Sequence, residues 1–134
     1  MFETTRAVVD MTMAGIIRVI VPHAGAALPG LVQRVELAAP LFHCEDAGPP
    51  ISMAATMKQL HFDLAGAPVP NLLRELLDWA DPDRIHYGSD YPFTPAEAAE
   101  RLRAALDATP LIDDGLRKKV MRDNTARLFP RLTE

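Results

Sequence analysis

Runs of hydrophobic, β-type residues alternate along the chain with patterns that are typical of helices. The three runs occupy residues 16–21, 59–64 and 84–88, and the first is apolar at every position except Arg18. Such continuous apolarity is typical of a parallel strand that is covered on both faces. Strands that alternate with helices predict an α/β fold, with a parallel sheet and right-handed crossovers.

Helices are predicted around these strands from the spacing of apolar residues and from the residue types at their ends. Their approximate ranges are 4–13, 29–38, 53–58, 70–80, 95–108 and 113–129, with a break in the last near 123–124. The proline-rich stretch 40–52 predicts the longest loop.

Length and composition narrow the class of protein. The 134 residues predict one domain, 1–134, with a core of its own. A net charge of −4 without a Lys/Arg cluster predicts no nucleic-acid surface. The longest apolar run, 14–22, is interrupted by Arg18 and is too short for a membrane span. Because Cys44 is the only cysteine, no intramolecular disulfide is possible, and we expect a reducing, cytoplasmic compartment.

The run 84–88 leads directly into Ser89-Asp90-Tyr91-Pro92, which places a carboxylate just past the carboxyl end of a strand. Active sites of barrels and open α/β sheets are built at these ends. Asp90 is therefore a candidate metal ligand or general base. The alternative is a capping aspartate that opens the next helix, which is common where a strand turns into a helix.

His23 follows the first predicted strand and precedes a run of alanine and glycine. In a parallel sheet it would share one rim with Asp90. An imidazole nitrogen and a carboxylate oxygen form a partial ligand set for zinc or a similar divalent ion, although two ligands are too few for tight binding. The alternative is a structural or helix-capping histidine.

Other polar residues carry weaker predictions. His61 and His86 lie inside predicted strands, where a hydrogen-bonded structural histidine is expected. Asp63 has two open interpretations, a carboxylate that supports the site or a turn former. His43 and Cys44 lie in the loop, where they face either a substrate or solvent.

Several segments, taken in order, resemble the amidohydrolase-2 family of metal-dependent decarboxylases and hydrolases. The segment 21–29, with Arg34, is similar to the family's His-x-Gly-Gly…Pro…Arg region. The matches that follow are 62–65 to a Phe/Tyr-Asp-Thr-Ala strand, 83–93 to Gly-[Ser/Thr]-Asp-[Tyr/Trp]-Pro, and 124–129 to Asn-Ala-x-x-Leu-[Phe/Leu]. The resemblance spans nearly the whole chain.

The resemblance implies a TIM-type (β/α)8 barrel with one divalent metal, usually zinc, on the C-terminal rim. His23 matches a metal-binding histidine of a middle strand. Asp90 matches the aspartate of the last strand, which binds the metal and helps to activate its water or to orient the substrate, and we expect Asp90 to be the catalytic residue that moves the proton. The implied reaction is hydrolysis or non-oxidative decarboxylation of a small carboxylated or cyclic substrate.

Three departures from the family pattern limit that implication. The helix that ends at Gly15 runs directly into the run 16–21, where relatives usually insert several more residues. No His-x-His or Glu-x-His pair of a first strand is present, and Ala67-Pro68 stands where the decarboxylases carry a catalytic histidine. We therefore expect the C-terminal portion of the barrel, about three parallel strands with flanking helices, and an incomplete metal site. The alternative is a catalytically inactive half-barrel that acts as an oligomerising or interaction module. Open strand edges predict a homo-oligomer in either case.

Overall fold

The computed structural model describes residues 2–13, 19–42 and 52–133. Three strands and seven α-helices are present in these ranges. In chain order they are α1 (Phe2–Met13), β1 (Ile20–Val21), α2 (Leu28–Ala38), α3 (Met53–Met57), β2 (His61–Asp63), α4 (Asn71–Trp79), β3 (Ile85–His86), α5 (Ala96–Ala108), α6 (Asp114–Lys118) and α7 (Asn124–Leu128). No helix among them is long and apolar enough to span a membrane.

The three strands form one parallel sheet in the order β1-β2-β3, as predicted. Each strand is shorter than its hydrophobic run, and residues 16–18 of the first run lie outside the described part of the chain. The third strand is shorter than predicted at both ends, because the residues there make other contacts. Arg84 belongs to a 3-10 turn, and the Tyr87 N–H donates to the carbonyl of Val120 rather than to a strand.

The helices agree with the predicted ranges to within a few residues. In place of the predicted break near 123–124, the last helix changes type: a π-helical turn, Lys119–Asp123, joins α6 to α7, and the backbone stays helical at Asp123 and Asn124. The predicted loop 40–52 is wrong at its start, where Ala39–Phe42 form a 3-10 turn. Residues 43–51 of that loop are outside the described ranges.

One face of the sheet forms the centre of the core. Strand register aligns Val21 with Phe62 and Phe62 with Ile85, and each of these side chains is at most 1% exposed. Buried side chains of α2, α4 and α5 cover this face: Leu28, Val32, Leu73, Leu76, Leu102 and Leu106. Each large apolar side chain buried here contributes roughly 1.5–3 kcal/mol to the free energy of unfolding.

The opposite face of the sheet is polar. Helix α7 covers it at β3, where His86 is 5% exposed and lies 3.2 Å from the Thr125 hydroxyl, and the remaining part, along β1 and β2, is the uncovered face. Successive residues of a strand point to opposite faces, so Ile20, His61, Asp63 and His86 share this side. Ile20 is 43% exposed, which is unusual for a β-branched residue in a parallel strand. In the described part of the chain, helices therefore cover one face of this sheet fully and the other only at β3.

Asn124 closes the outer edge of β3. Its side-chain amide donates to the carbonyls of Pro82 and Ile85, and its oxygen accepts a bond from Arg127. Asn124 is 2% exposed, so water cannot replace these bonds. The asparagine of the C-terminal motif therefore has a structural role.

We expect Asn124→Ala to lower the free energy of unfolding by about 2–3 kcal/mol, because the buried carbonyl of Ile85 loses its donor. Urea denaturation followed by circular dichroism measures the change. Asn71→Ala, at the exposed start of α4, is the control and should change stability by less than about 0.5 kcal/mol. Equal effects of the two substitutions would contradict the role assigned to Asn124.

Candidate metal centre

His23 lies at the carboxyl end of β1, in a turn whose backbone is left-handed. His23, Ala24, Gly25 and Ala26 all have positive φ, between 52° and 83°. Non-glycine residues rarely adopt this conformation, so tertiary contacts must hold the turn. One such contact is a hydrogen bond of 3.0 Å from the His23 N–H to Oδ1 of Asp63.

The small residues of this turn serve the core. A Cβ at Gly25 would lie 3.1 Å from Cδ of Pro29 and 3.2 Å from Cε1 of Phe62. Ala24 and Ala26 are almost fully buried. The Ala/Gly run therefore lets the turn approach the core closely, and this packing brings the histidine to the rim of the sheet.

Asp90 follows β3 on the same rim, and it also has a positive φ, of 59°. Its carbonyl accepts from the Thr94 N–H at 2.7 Å, and its Oδ2 accepts from the Thr94 hydroxyl at 3.0 Å. The alternative of a helix cap is wrong, because α5 begins only at Ala96 with Pro95 before it. Asp90 closes a short turn of its own, and its Oδ1 takes no part in these bonds.

These two residues fit part of a divalent-metal site. The Nδ1 atom of His23 is buried, and none of the described residues offers it a hydrogen bond, a costly arrangement that a bound cation would relieve. Neutral imidazole and carboxylate are donors that zinc and manganese accept. Among the described residues, however, no three His, Cys, Asp or Glu side chains lie together so that they could hold a metal. The rim therefore supplies two candidate metal ligands, fewer than the three or four protein ligands typical of a zinc site.

His61 and His86 form a hydrogen-bonded chain on the polar face of the sheet, as expected of structural histidines. Nδ1 of His61 lies 2.8 Å from Nε2 of His86, and Nε2 of His61 lies 3.0 Å from Nη1 of Arg84. Nδ1 of His86 lies 3.2 Å from the Thr125 hydroxyl. Because a guanidinium can only donate, His61 accepts at Nε2 and donates from Nδ1 to His86. Both histidines are neutral in this arrangement.

The surroundings favour these neutral forms. Burial lowers the pKa of His86 below its usual value; nearby His61 and Arg127 lower it further, and Asp63 opposes them. Burial also lowers the pKa of His61; the charge of Arg84 acts in the same direction, and Asp81 opposes it. The chain of hydrogen bonds therefore depends on pH.

A cleft of about 540 Å³ opens beside this chain, at the amino ends of the strands. Its lining combines polar and apolar side chains: Val19, Ile20, Gln59, His61, Arg84, Leu128 and Phe129. The cleft lies at the end of the sheet opposite His23 and Asp90. It is therefore separate from the candidate metal centre.

Comparison with known proteins assigns the family. The model of the amidohydrolase family matches residues 6–131, and the chain belongs to that family. The 6-methylsalicylic acid decarboxylase of Penicillium expansum is 30% identical over 136 residues, which cover 97% of this chain and 42% of that protein. The chain thus spans about two fifths of the length of this relative.

Solved structures agree with this assignment. The crystal structure of an amidohydrolase II, a structural-genomics target, has a TM-score of 0.85 and 31% identity, over 99% of this chain and 42% of that one. A dihydroxybenzoic acid decarboxylase of Polaromonas sp. JS666, solved with manganese and 2-nitroresorcinol, has a TM-score of 0.69 and 20% identity, over 87% and 34%. The described three-stranded unit therefore corresponds to part of a TIM-type amidohydrolase barrel.

Not every predicted residue is placed, and some contacts had no sequence signal. His43 and Cys44 lie outside the described residues. The pairing of His61 with His86 follows from the register of β2 and β3, which the sequence does not specify. Thr125 lies 39 residues from His86, and no local pattern predicts their contact.

We expect the stability of the chain to decrease as the pH is lowered, because of the His61–His86 pair. Both histidines bind protons more weakly in the folded chain than in the unfolded chain, where their pKa is about 6.5. The unfolded state therefore takes up more protons, and the free energy of unfolding should decrease as pH falls from about 7 to about 5. Urea denaturation across this range measures the slope.

The control is the double variant His61→Gln, His86→Gln, which cannot titrate at these positions. Its slope between about pH 7 and 5 should be shallower than that of the unaltered chain. Identical slopes would show that the pair does not govern this pH dependence.

Proposed function

We propose that this chain carries two ligands of a divalent-metal site, His23 and Asp90, in a metal-dependent enzyme that decarboxylates a small aromatic carboxylic acid without an oxidant. The observation that carries the proposal is the shared rim. His23 is bonded to Asp63, Asp63 packs against Gly88, and Asp90 follows Gly88 by two residues. The family membership and the decarboxylase relatives support the reaction class.

His23 would bind the ion through its imidazole, since its Nδ1 lacks a partner in the described residues. Asp90 would bind through Oδ1, because the Thr94 hydroxyl occupies Oδ2 and fixes the plane of the carboxylate. A bound divalent ion would supply positive charge to hold an anionic substrate. Zinc and manganese both suit an imidazole and carboxylate pair.

In non-oxidative decarboxylation, the bond between the ring carbon and the carboxylate breaks and carbon dioxide leaves. The electron pair stays on the ring carbon, which then takes a proton. We assign the movement of that proton to Asp90: its Oδ2 would take the proton from water, while the Thr94 hydroxyl turns from donor to acceptor, and would give it to the ring carbon, in keeping with general acid–base catalysis by a positioned side chain. Hydrolysis of a cyclic substrate is the alternative reaction for the same pair of residues.

We expect Mn²⁺ to bind the chain, and both His23→Ala and Asp90→Asn to weaken that binding by at least about tenfold, because each removes a direct donor. The free Mn²⁺ signal in electron paramagnetic resonance measures the dissociation constant. Release of carbon dioxide from 6-methylsalicylic acid, with Mn²⁺ present, should fall in the same two variants.

Two variants far from this rim are the controls. His61→Ala removes an imidazole at the other end of the sheet, and Asp107→Asn removes an exposed carboxylate of α5. Neither should change the affinity for Mn²⁺. Equal affinities of the His23 and Asp90 variants and the unaltered chain would remove both residues from the metal site. Metal binding without release of carbon dioxide would contradict the decarboxylase assignment alone.

A second candidate function is that of an interaction module, and the uncovered face of the sheet favours it. Ile20 is 43% exposed and Phe129 is 47% exposed, and both line the cleft beside Gln59, His61 and Arg84. We propose that a second copy of the chain covers this face. A two-fold interface brings the same patch of both copies together, which suits a patch that holds both apolar and polar groups.

We expect the chain to form a dimer at micromolar concentration, and Phe129→Glu to weaken it by at least about tenfold, since the change buries a charge in the interface. Sedimentation velocity measures the equilibrium. Leu37→Glu is the matched control, because Leu37 is 80% exposed on α2, away from the cleft. A stable monomer of the unaltered chain would exclude self-association through this face.

A further inference from the structure

Asp63 touches the ends of all three strands. Its Oδ1 accepts two hydrogen bonds of 3.0 Å, one from the N–H of His23 after β1 and one from the N–H of Ala65 after β2. On the β3 side, a Cβ at Gly88 would lie 3.1 Å from Cβ and 3.2 Å from Cγ of Asp63. Glycine thus lets β3 pass directly against the carboxylate. The residue lies between the two candidate metal ligands.

The bond to His23 is the long-range part of this arrangement. It joins residues 40 positions apart, whereas the bond to Ala65 spans only two. His23 and its neighbours have positive φ, a conformation that the chain does not prefer by itself. An acceptor at the His23 N–H therefore fixes a backbone that would otherwise relax, and the direction of the imidazole depends on that backbone.

We propose that Asp63 is a positioning residue for the metal centre. Its carboxylate fixes the backbone of His23 at one side and the approach of Gly88 at the other, which sets the distance between His23 and Asp90. The inference about metal affinity rests on the proposed function, while the inference about the His23 backbone does not. Asp63 itself need not touch the ion or the substrate.

The competing role is that of a turn former, through Ala65 alone. Asp81 offers the matched case within the same chain. Its Oδ1 accepts from the N–H of Asp83, also two residues later, at 2.9 Å, but at the opposite end of the sheet from the rim. A residue that only forms a turn should respond to truncation as Asp81 does, with a loss of stability and no effect on His23 or on metal affinity.

The experiment compares Asp63→Ala, Asp63→Ser, Asp63→Asn and Asp81→Ala in the otherwise unaltered chain. Asparagine keeps an oxygen acceptor at Oδ1. Serine can still close the local turn, but its oxygen is one bond shorter and should not reach His23. Three quantities are measured: the dissociation constant of Mn²⁺, the hydrogen-exchange rate of the His23 amide by NMR, and the free energy of unfolding in urea.

We expect Asp63→Ala and Asp63→Ser to accelerate exchange of the His23 amide and to weaken Mn²⁺ binding by about 10–100-fold, the range for groups that orient a metal ligand. In Asp63→Asn, both the exchange rate and the Mn²⁺ affinity should stay close to those of the unaltered chain, and Asp81→Ala should change neither. Unchanged Mn²⁺ affinity and unchanged His23 exchange in the serine and alanine variants would overturn the proposal.

The two proposals fail in different ways. If the unaltered chain binds no Mn²⁺, the metal centre is excluded, and the His23 amide alone decides the role of Asp63. Faster exchange in Asp63→Ser but not in Asp63→Asn or Asp81→Ala then supports the positioning role, and equal rates overturn it. If Asp63→Ala does not fold, the serine and asparagine variants carry the same comparison.

Discussion

The structure depends on one constraint: a parallel sheet needs cover on both faces, and the described helices cover one face fully and the other only at β3. Val21, Phe62 and Ile85 point into the core, where α2, α4 and α5 exclude water. The candidate functional side chains lie on the other face or at its rim. A strand presents alternate residues to the two faces, so the packing that buries Phe62 also directs His61 and Asp63 outward. Stability and candidate function therefore come from neighbouring positions of the same short strands.

The two ends of the uncovered face have different requirements. Arg84, His61, His86 and Thr125 satisfy one another in a directed chain of hydrogen bonds that begins at the amino ends of the strands. The exposed surface beside this chain is mainly apolar and is formed by Ile20 and Phe129. It requires an apolar partner surface and few polar partners. At the carboxyl ends, Nδ1 of His23 is buried without a partner in the described residues. The carboxyl ends therefore require a polar partner or an ion, whereas the amino ends require apolar cover.

Local sequence patterns predicted the elements and their order, because apolar spacing and strand-to-helix turns are local properties. The rim position of His23 and Asp90 was also predictable, since parallel strands end on one side of a sheet. The ends of the strands were not, because Tyr87 leaves the sheet for the carbonyl of Val120, more than 30 residues away. A long-range contact also explains why the sequence left two interpretations of Asp63 open. Its turn bond to Ala65 is local, but its bond to His23 spans 40 residues.

Residues with positive φ are concentrated at the rim that carries the proposed metal ligands. His23 and Asp90 both have positive φ, which costs an L-residue about 1–2 kcal/mol. An ordinary strand-to-helix turn can place a glycine there and avoid the cost, as Gly66 does after β2. Of the four non-glycine residues with positive φ in the described part of the chain, two are buried alanines of the His23 turn, and the other two are the proposed metal ligands. Strain of this kind persists only where surrounding contacts enforce it, and it is concentrated at functional sites. The contacts that enforce it are Asp63 on one side and Thr94 on the other. The turn bonds and the candidate ligands therefore form one unit that spans the three strand ends.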